Sequence, residues 1–170
     1  SQQIELHFMK LSRDPASHFF SSGKDGWQTK QWATPFSGFR WLVPWLAGFR
    51  GKALYSDSDV LARSDIAELF NSPFHPGKIV MAKGGEHSWR FCISLWDCEA
   101  AYDYMPPPIE LFPASGHSMM VEYFKSHPEL IQPFPENANW NCIDGEDYED
   151  INDPRIKMIH YSSEAHQPHL

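Results

Sequence analysis

The sequence predicts an α/β fold in which helices flank one mixed, mostly parallel β-sheet. Four short apolar runs are typical of buried strands, and they span residues 53–56, 78–83, 91–95 and 156–160. Segments with helical patterns lie before and between them, at residues 34–48, 64–70 and 119–124. Strands that alternate with helices usually share a sheet, so we expect all four in one sheet. A chain of 170 residues suits a single domain, residues 1–170.

The first two helices are predicted from their start signals. Thr34 is a good N-cap, and Pro35 is favoured at the first helical position. Apolar side chains then follow on nearly every face, so this helix should be buried. Pro44 lies inside the pattern and should kink or shorten the helix. The second helix should begin near Asp65, which stands at capping-box spacing from Glu68.

The charge of the chain excludes two classes of partner. Lysine and arginine number 14 against 22 acidic residues, which gives a formal net charge of -8 at pH 7. Non-specific binding to nucleic acid or to an anionic membrane needs a basic surface, so we expect neither. No apolar run approaches the length of a membrane span, so we expect a protein that is not integral to a membrane. An acidic chain that binds a phosphate can overcome repulsion with a divalent cation held by its carboxylates.

Cysteine usage indicates a reducing compartment. The three cysteines, Cys92, Cys98 and Cys142, are odd in number. Their spacing fits neither a disulfide framework nor a four-thiolate zinc site. The first residues lack the basic and then apolar pattern of a secretory signal. We therefore expect a cytoplasmic protein.

The densest chemical signal is Asp57-Ser58-Asp59, which follows a predicted buried strand. Ligands of open α/β sheets bind beyond the ends of the strands. In an extended segment alternate side chains share one face, so both carboxylates can reach one hard cation. Such a cation can bridge to a diphosphate and neutralise charge as a leaving group departs. A solvated turn with a helix cap is the alternative interpretation of the same residues.

The surrounding residues resemble one family. Residues 51–61, Gly-Lys-Ala-Leu-Tyr-Ser-Asp-Ser-Asp-Val-Leu, and residues 65–69, Asp-Ile-Ala-Glu-Leu, are similar to the metal-binding segment of GT-A fold glycosyltransferases. The likeness is to the glycogenin and lipopolysaccharide galactosyltransferase group, family 8. It implies a Rossmann-like GT-A sheet and a metal-dependent transferase that uses a nucleotide sugar, in this group a UDP-sugar, with retention of configuration. The acceptor stays open between a glycan, a lipid and a protein.

A late segment completes the implied metal site. Residues 156–161, Ile-Lys-Met-Ile-His-Tyr, resemble the family's last strand, whose histidine is the third protein ligand of the metal. The resemblance implies that Asp57, Asp59 and His160 hold one ion. Two carboxylates and a neutral imidazole suit Mn²⁺, or alternatively Mg²⁺. A histidine at a strand end is also often purely structural.

Further roles are implied by the same resemblance. The family carries a nucleotide-binding arginine in a segment like Phe-Arg-Trp-Leu-Val-Pro, here residues 39–44. Residues 90–97 correspond to a strand on the sugar and acceptor side, and residues 139–147 to a loop near the donor sugar. We expect the nucleotide to be bound by Arg40, Tyr55, Ser58, Ser163 and His166, the last at about the position of the family's phosphate-binding lysine. The expected catalytic residues are Asp57, Asp59 and Asp144, although Asp144 equally fits a solvated loop.

The resemblance covers roughly residues 34–170, with two departures. Family members begin with a strand and loop of the type Ile-x-Ile-Gly-Tyr-Asp, whereas residues 4–9 resemble the family's next strand. After the metal histidine the family has a glycine and then Lys-Pro-Trp, whereas residues 162–168 read Ser-Ser-Glu-Ala-His-Gln-Pro. We therefore expect a domain that is incomplete at both ends, and weak nucleotide binding by these 170 residues alone.

Two other functions compete with transfer. An inactive relative or fragment could bind a metal or a sugar without transferring it, which the departures favour. A zinc hydrolase could use His160, His166 and His169. Pro168 lies between the last two, and no glutamate stands where the usual zinc motif places its base.

Overall fold

The structure, a computed structural model, describes residues 4–32, 34–84, 88–143 and 152–162. Their strands are β1 (Ser21–Ser22), β2 (Asp25–Gly26), β3 (Lys52–Ser56), β4 (Val60–Ala62), β5 (Val80–Gly84), β6 (Trp89–Asp97), β7 (Ile131–Pro133), β8 (Cys142–Ile143) and β9 (Met158–His160). Their α-helices are α1 (Val43–Leu46), α2 (Ala67–Phe70), α3 (Pro108–Leu111) and α4 (Gly116–Ser126). Three 3-10 helices span Thr29–Gln31, Ser37–Leu42 and Pro128–Leu130. The predicted mixed α/β architecture is confirmed.

The main sheet has the strand order β3-β6-β5-β7. β6 pairs antiparallel with both β3 and β5, whereas β5 pairs parallel with β7. The prediction of a mostly parallel sheet is therefore wrong for the described strands, although the sheet is mixed. The reason is the link between β5 and β6, which is far shorter than the dozen or more residues that a parallel crossover needs.

A second, smaller sheet holds the last strand. Its order is β4-β9-β8, with β4 antiparallel and β8 parallel to β9. The expectation that residues 156–160 join the main sheet is therefore wrong. Residues Ser58 and Asp59 form a turn after β3 that leads the chain out of the main sheet and into β4. β4 then offers the edge on which β9 pairs.

The first predicted helix is two shorter elements. The 3-10 helix Ser37–Leu42 runs directly into α1, and Pro44 lies in the first two positions of α1. Proline has no N–H to donate, so it is tolerated there and not in a helix interior. The predicted helix near residues 119–124 is confirmed and extends over α4. The expected strand at residues 4–9 is absent from the structure, and Leu6 and Phe8 are exposed.

Two apolar clusters cover the two faces of the main sheet. Side chains alternate along β5, so that Val80 joins one cluster and Met81 the other. The larger cluster is rich in aromatic rings, among them Trp41, Trp96 and Phe124, which contact one another. The 3-10 helix Ser37–Leu42 and α4 contribute to this cluster. Burial on both faces explains why the strands read as continuous apolar runs.

Candidate functional site

Strand register brings the candidate site together. The antiparallel pairing of β4 with β9 sets Val60 opposite His160, directly beside Asp59. The backbone N–H of Tyr161 donates to the Asp59 carbonyl oxygen at 3.0 Å, which extends this pairing by one step. Asp57 follows the last residue of β3 at the edge of the main sheet. The turn between β3 and β4 is therefore fixed at both ends, and both its carboxylates lie near the histidine.

The two aspartates approach the same nitrogen of His160. Asp59 Oδ1 lies 3.3 Å from His160 Nε2, and Asp57 Oδ2 lies 3.9 Å from it. The Asp57 and His160 side chains are mostly buried, whereas the Asp59 side chain is one-third exposed. The structure thus brings the three predicted ligands together across about a hundred residues of sequence. Their role as metal ligands stays a prediction.

Asp57 is held in place by Tyr55 and Arg40. The Tyr55 hydroxyl donates to Asp57 Oδ1 at 2.5 Å, and Arg40 Nη2 lies 3.2 Å from Oδ1 and 3.3 Å from Oδ2. Arg40 itself is anchored by a hydrogen bond from Nε to the Ser37 carbonyl oxygen. Burial and the Asp57 carboxylate raise the pKa of Tyr55 well above its usual value, so this hydroxyl stays a donor. Oδ1 therefore accepts from both Tyr55 and Arg40, whereas Oδ2 accepts from Arg40 and is the oxygen that approaches His160.

The pKa of His160 is subject to two opposing effects. Burial acts to lower its pKa, but the Cys92 thiol and the carboxylates of Asp59 and Asp57 outweigh burial and raise it. Within the described ranges, Nδ1 of His160 is a buried nitrogen without a hydrogen-bond partner. A polar atom in that state is uncommon in a folded interior and calls for an explanation such as an ion or an ordered water.

A thiol that sequence reasoning did not select also faces this site. Among the described residues, one group of possible metal ligands comprises Asp57, Cys92 and His160, whose ligand atoms all lie within 4.8 Å of one another. The Asp57 N–H donates to the Cys92 carbonyl oxygen at 2.8 Å, so the two residues face each other across β3 and β6. Cys92 stands in an apolar strand pattern, where a cysteine usually packs as a small hydrophobe. The signal that could have found it is the β3–β6 register, which the sequence does not supply.

The remaining predicted residues divide into two groups. Arg40 and Tyr55 lie at the site but contact Asp57, and Ser58 is exposed in the turn between the aspartates. The other three, Asp144, Ser163 and His166, lie outside the described residues. Nucleotide binding by any member of either group stays a prediction.

The chemistry of the donor set fits a divalent cation. Asp57 Oδ2, Asp59 Oδ1 and His160 Nε2 are oxygen and imidazole donors that first-row metals accept. Tyr55 orients the Asp57 carboxylate through Oδ1, as outer partners commonly do for metal ligands. These residues therefore suit the metal that the sequence resemblance implies.

Two solved glycosyltransferase structures are similar to this chain. The apo form of mouse xyloside xylosyltransferase 1 aligns with a TM-score of 0.51 at 15% identity, over 77% of this chain and 65% of that one. The apo structure of WbbM, a bifunctional glycosyltransferase, aligns with a TM-score of 0.55 at 15% identity, over 80% of this chain and 33% of that one. The chain thus spans less than two thirds of either protein. No family profile and no curated protein matches the sequence.

This likeness identifies the fold. The chain has a glycosyltransferase fold, which confirms the resemblance at that level, while membership of family 8 stays a prediction. Similarity of fold does not by itself assign a reaction, because one fold hosts many activities. Among the helices of the described part of the chain, none has the length and apolar character needed to cross a bilayer.

Proposed function

We propose that this chain is the donor-binding part of a metal-dependent glycosyltransferase. The observation behind the proposal is the convergence of Asp57 and Asp59 on His160 Nε2, at 3.9 Å and 3.3 Å, in a fold shared with glycosyltransferases. Two carboxylates in a partly buried place repel one another, and a bound cation would offset that repulsion. The reaction would move a sugar from a nucleotide sugar to an acceptor.

The site residues would hold a Mn²⁺ or Mg²⁺ ion through Asp57, Asp59 and His160. When bound, such an ion supplies positive charge to the diphosphate that leaves the donor sugar. Tyr55 and Arg40 hold the Asp57 carboxylate in one orientation, so the site is organised before the donor arrives. The mostly buried Asp57 and His160 keep water away from one side, which strengthens every charge interaction there.

The finer assignments extend the sequence resemblance. We propose a UDP-sugar as the donor and retention of configuration, with a glycan, lipid or protein as acceptor. Ser58 lies exposed between the two aspartates, where a phosphate oxygen could meet its hydroxyl. Ser163, His166 and Asp144 remain candidates for the phosphate and the donor sugar.

A second candidate function is a relative that binds a metal or a sugar without catalysis. The position of Arg40 favours it, because the guanidinium lies 3.2 Å from Asp57 and already balances one of the two carboxylate charges. A site neutralised in this way binds a divalent cation less tightly than two unpaired carboxylates would. The two functions differ in one measurable respect, which is turnover of a nucleotide sugar.

The test is release of nucleoside diphosphate from a panel of UDP-sugars, with and without added acceptor sugars. We expect release in the presence of Mn²⁺ and its loss when the metal is chelated. Asp59→Asn should lower the rate by about 100-fold, because a charged ligand and leaving-group stabilisation are removed together. Asp103→Asn, which alters an exposed aspartate outside the site, is the matched control and should keep the wild-type rate.

The outcomes separate the two candidates. Metal-dependent release that Asp59→Asn abolishes supports the transferase. Metal binding without any turnover supports the non-catalytic relative. Release that persists at full rate under chelation, or in Asp59→Asn, contradicts the mechanism.

A further inference from the structure

One group of possible metal ligands among the described residues includes a thiol. Cys92 Sγ, a carboxylate oxygen of Asp57 and a ring nitrogen of His160 lie within 4.8 Å of one another, and Asp59 is not part of this group. We propose that Cys92 is a metal ligand, and that Asp57, Cys92 and His160 bind a thiophilic divalent cation such as Zn²⁺ or Co²⁺. The inference rests on the proposed function for the presence of a metal centre and changes which cation that centre prefers.

The position of the sulfur is fixed by the backbone. Ser56 at the end of β3 pairs with Ile93 of β6, and the Asp57 N–H donates to the Cys92 carbonyl oxygen at 2.8 Å. Cys92 lies in the interior of β6, between β3 and β5, where the pairing with β5 shifts register. A ligand on a rigid central strand is held more precisely than one on a loop.

The sulfur is also oriented by a buried amide. Asn141 is fully buried, and its Nδ2 donates to Cys92 Sγ at 3.0 Å. The Asn141 backbone is held in turn by Lys83, whose Nζ donates to the Asn141 carbonyl oxygen at 2.9 Å. The thiol also lies 3.5 Å from Asn141 Oδ1, so the amide contacts the sulfur with both of its polar atoms. Asn141 thus fixes the position of the Cys92 sulfur, as the Tyr55 hydroxyl fixes the position of the Asp57 carboxylate.

The donor set has a chemical preference. Sulfur, imidazole and carboxylate together suit Zn²⁺ or Co²⁺ in a four-coordinate site, whereas Mn²⁺ and Mg²⁺ favour oxygen donors. Tetrahedral ligand atoms stand roughly 3.5 Å apart, so a spread of up to 4.8 Å needs a modest closing of side chains. As the sulfur–metal bond forms, the thiol gives its proton to solvent.

The two possible ligand sets share residues, so together they hold one ion at a time. Asp57 and His160 belong both to the set with Asp59 and to the set with Cys92. A zinc ion bound through Cys92 therefore occupies the place of the oxygen-preferring ion. The chain should bind Zn²⁺ more tightly than Mn²⁺, and the ratio of the two affinities should depend on the sulfur atom.

The experiment is a Co²⁺ titration of the reduced protein, followed by absorption spectroscopy. Bound thiolate gives a sulfur-to-cobalt charge-transfer band in the near ultraviolet, separate from the visible bands that any bound Co²⁺ gives. We expect this band in the wild type and its loss in Cys92→Ser. Competition between Zn²⁺ and Mn²⁺ should show the affinity ratio falling by about tenfold or more in Cys92→Ser.

Cys98→Ser is the matched control. Cys98 is fully buried, and its backbone N–H donates to the Gly51 carbonyl oxygen just beyond the end of β6. It lies about 20 Å from Cys92 along the strand direction, too far to share an ion. Cys98→Ser should therefore keep the charge-transfer band, and it controls for the loss of a buried thiol.

Measurements on the wild-type protein alone distinguish failure of this inference from failure of the proposed function. A wild-type protein that binds Co²⁺ without the charge-transfer band overturns the inference, and Mn²⁺-dependent turnover in that case leaves the proposed function standing. The band without turnover supports the inference and contradicts the transferase. A wild-type protein that binds no Co²⁺ overturns the inference. If that protein also shows no turnover of UDP-sugars, the proposed metal centre is overturned as well.

Discussion

Tyr55 and Asp57 form the shortest side-chain contact of the candidate site, with the hydroxyl donating to Oδ1 at 2.5 Å. The two residues are separated by Ser56, so their side chains leave the end of β3 on the same face. Tyr55 is buried and its ring packs in the larger apolar cluster. The contact therefore ties a charged group of the site to the core of the molecule.

Removing this hydroxyl should weaken metal binding and spare the fold. Tyr55→Phe keeps the buried ring but leaves Asp57 Oδ1 with Arg40 as its remaining partner in the described contacts. Outer-partner changes of this kind lower metal affinity by about 10-fold to 100-fold, and we expect the lower end. Titration of Mn²⁺ followed by electron paramagnetic resonance measures the effect. Tyr102→Phe, at an exposed tyrosine, is the control, and equal affinities in all three proteins would contradict the prediction.

Replacing Arg40 should raise the affinity for the metal and lower the affinity for the nucleotide. Its guanidinium lies 3.2 Å from Asp57, where it competes with a cation for the same carboxylate. Arg40→Gln removes that charge, so Mn²⁺ affinity should rise by about threefold. If Arg40 also contacts the diphosphate, UDP affinity in saturating Mn²⁺ should fall by about tenfold. Calorimetry on both ligands tests the pair, and changes of the same sign would refute the dual role.

Several elements could be predicted because their signals are local. β3, β5 and β6 were expected from short apolar runs, and α4 from its apolar spacing. Asp57 and Asp59 stand out because they follow a strand directly and lie one residue apart. Each of these features depends on residues close together in the sequence, which is the range over which a pattern is informative.

The features that were missed depend on pairing between distant segments. Strand direction in the main sheet is set by the short β5–β6 link, and β9 leaves that sheet because β4 offers it an edge. Cys92 reaches the site through the β3–β6 register, in which a shift of one residue would turn its side chain to the other face. The contact of Asn141 with Cys92 joins positions 49 apart. No local pattern encodes these relationships.

A glycine at the start of α4 should be intolerant of any side chain. A Cβ on Gly116 would lie 2.7 Å from the carbonyl carbon of Leu111 and closer still to its oxygen, and backbone atoms cannot swing aside. Gly116→Ala should lower the free energy of unfolding by about 1–3 kcal/mol through overpacking. Gly84→Ala is the control, because among the described residues its Cβ meets only the Trp89 ring, at 3.6 Å. Urea denaturation compares the two, and similar losses would contradict this explanation.

Stability should fall on acidification because of a partly buried histidine. His117 Nδ1 accepts a hydrogen bond from Trp41 Nε1 at 3.0 Å, which requires the neutral ring. Burial, with a smaller effect of Arg40, lowers the pKa of His117 to about 4 from an ordinary value of 6.5. The unfolded chain therefore binds this proton first, so the stabilisation is complete above pH 6.5 and is lost as pH falls towards 4. After discounting for solvent screening, the loss of unfolding free energy should be about 1–2 kcal/mol.

Two variants test whether His117 causes this loss. His117→Asn keeps an acceptor for the indole and should flatten the dependence of unfolding free energy on pH across this interval. His75→Asn, at an exposed histidine, is the control and should leave that dependence steep. Equal slopes for wild type and His117→Asn in urea denaturation would show that another group governs acid stability.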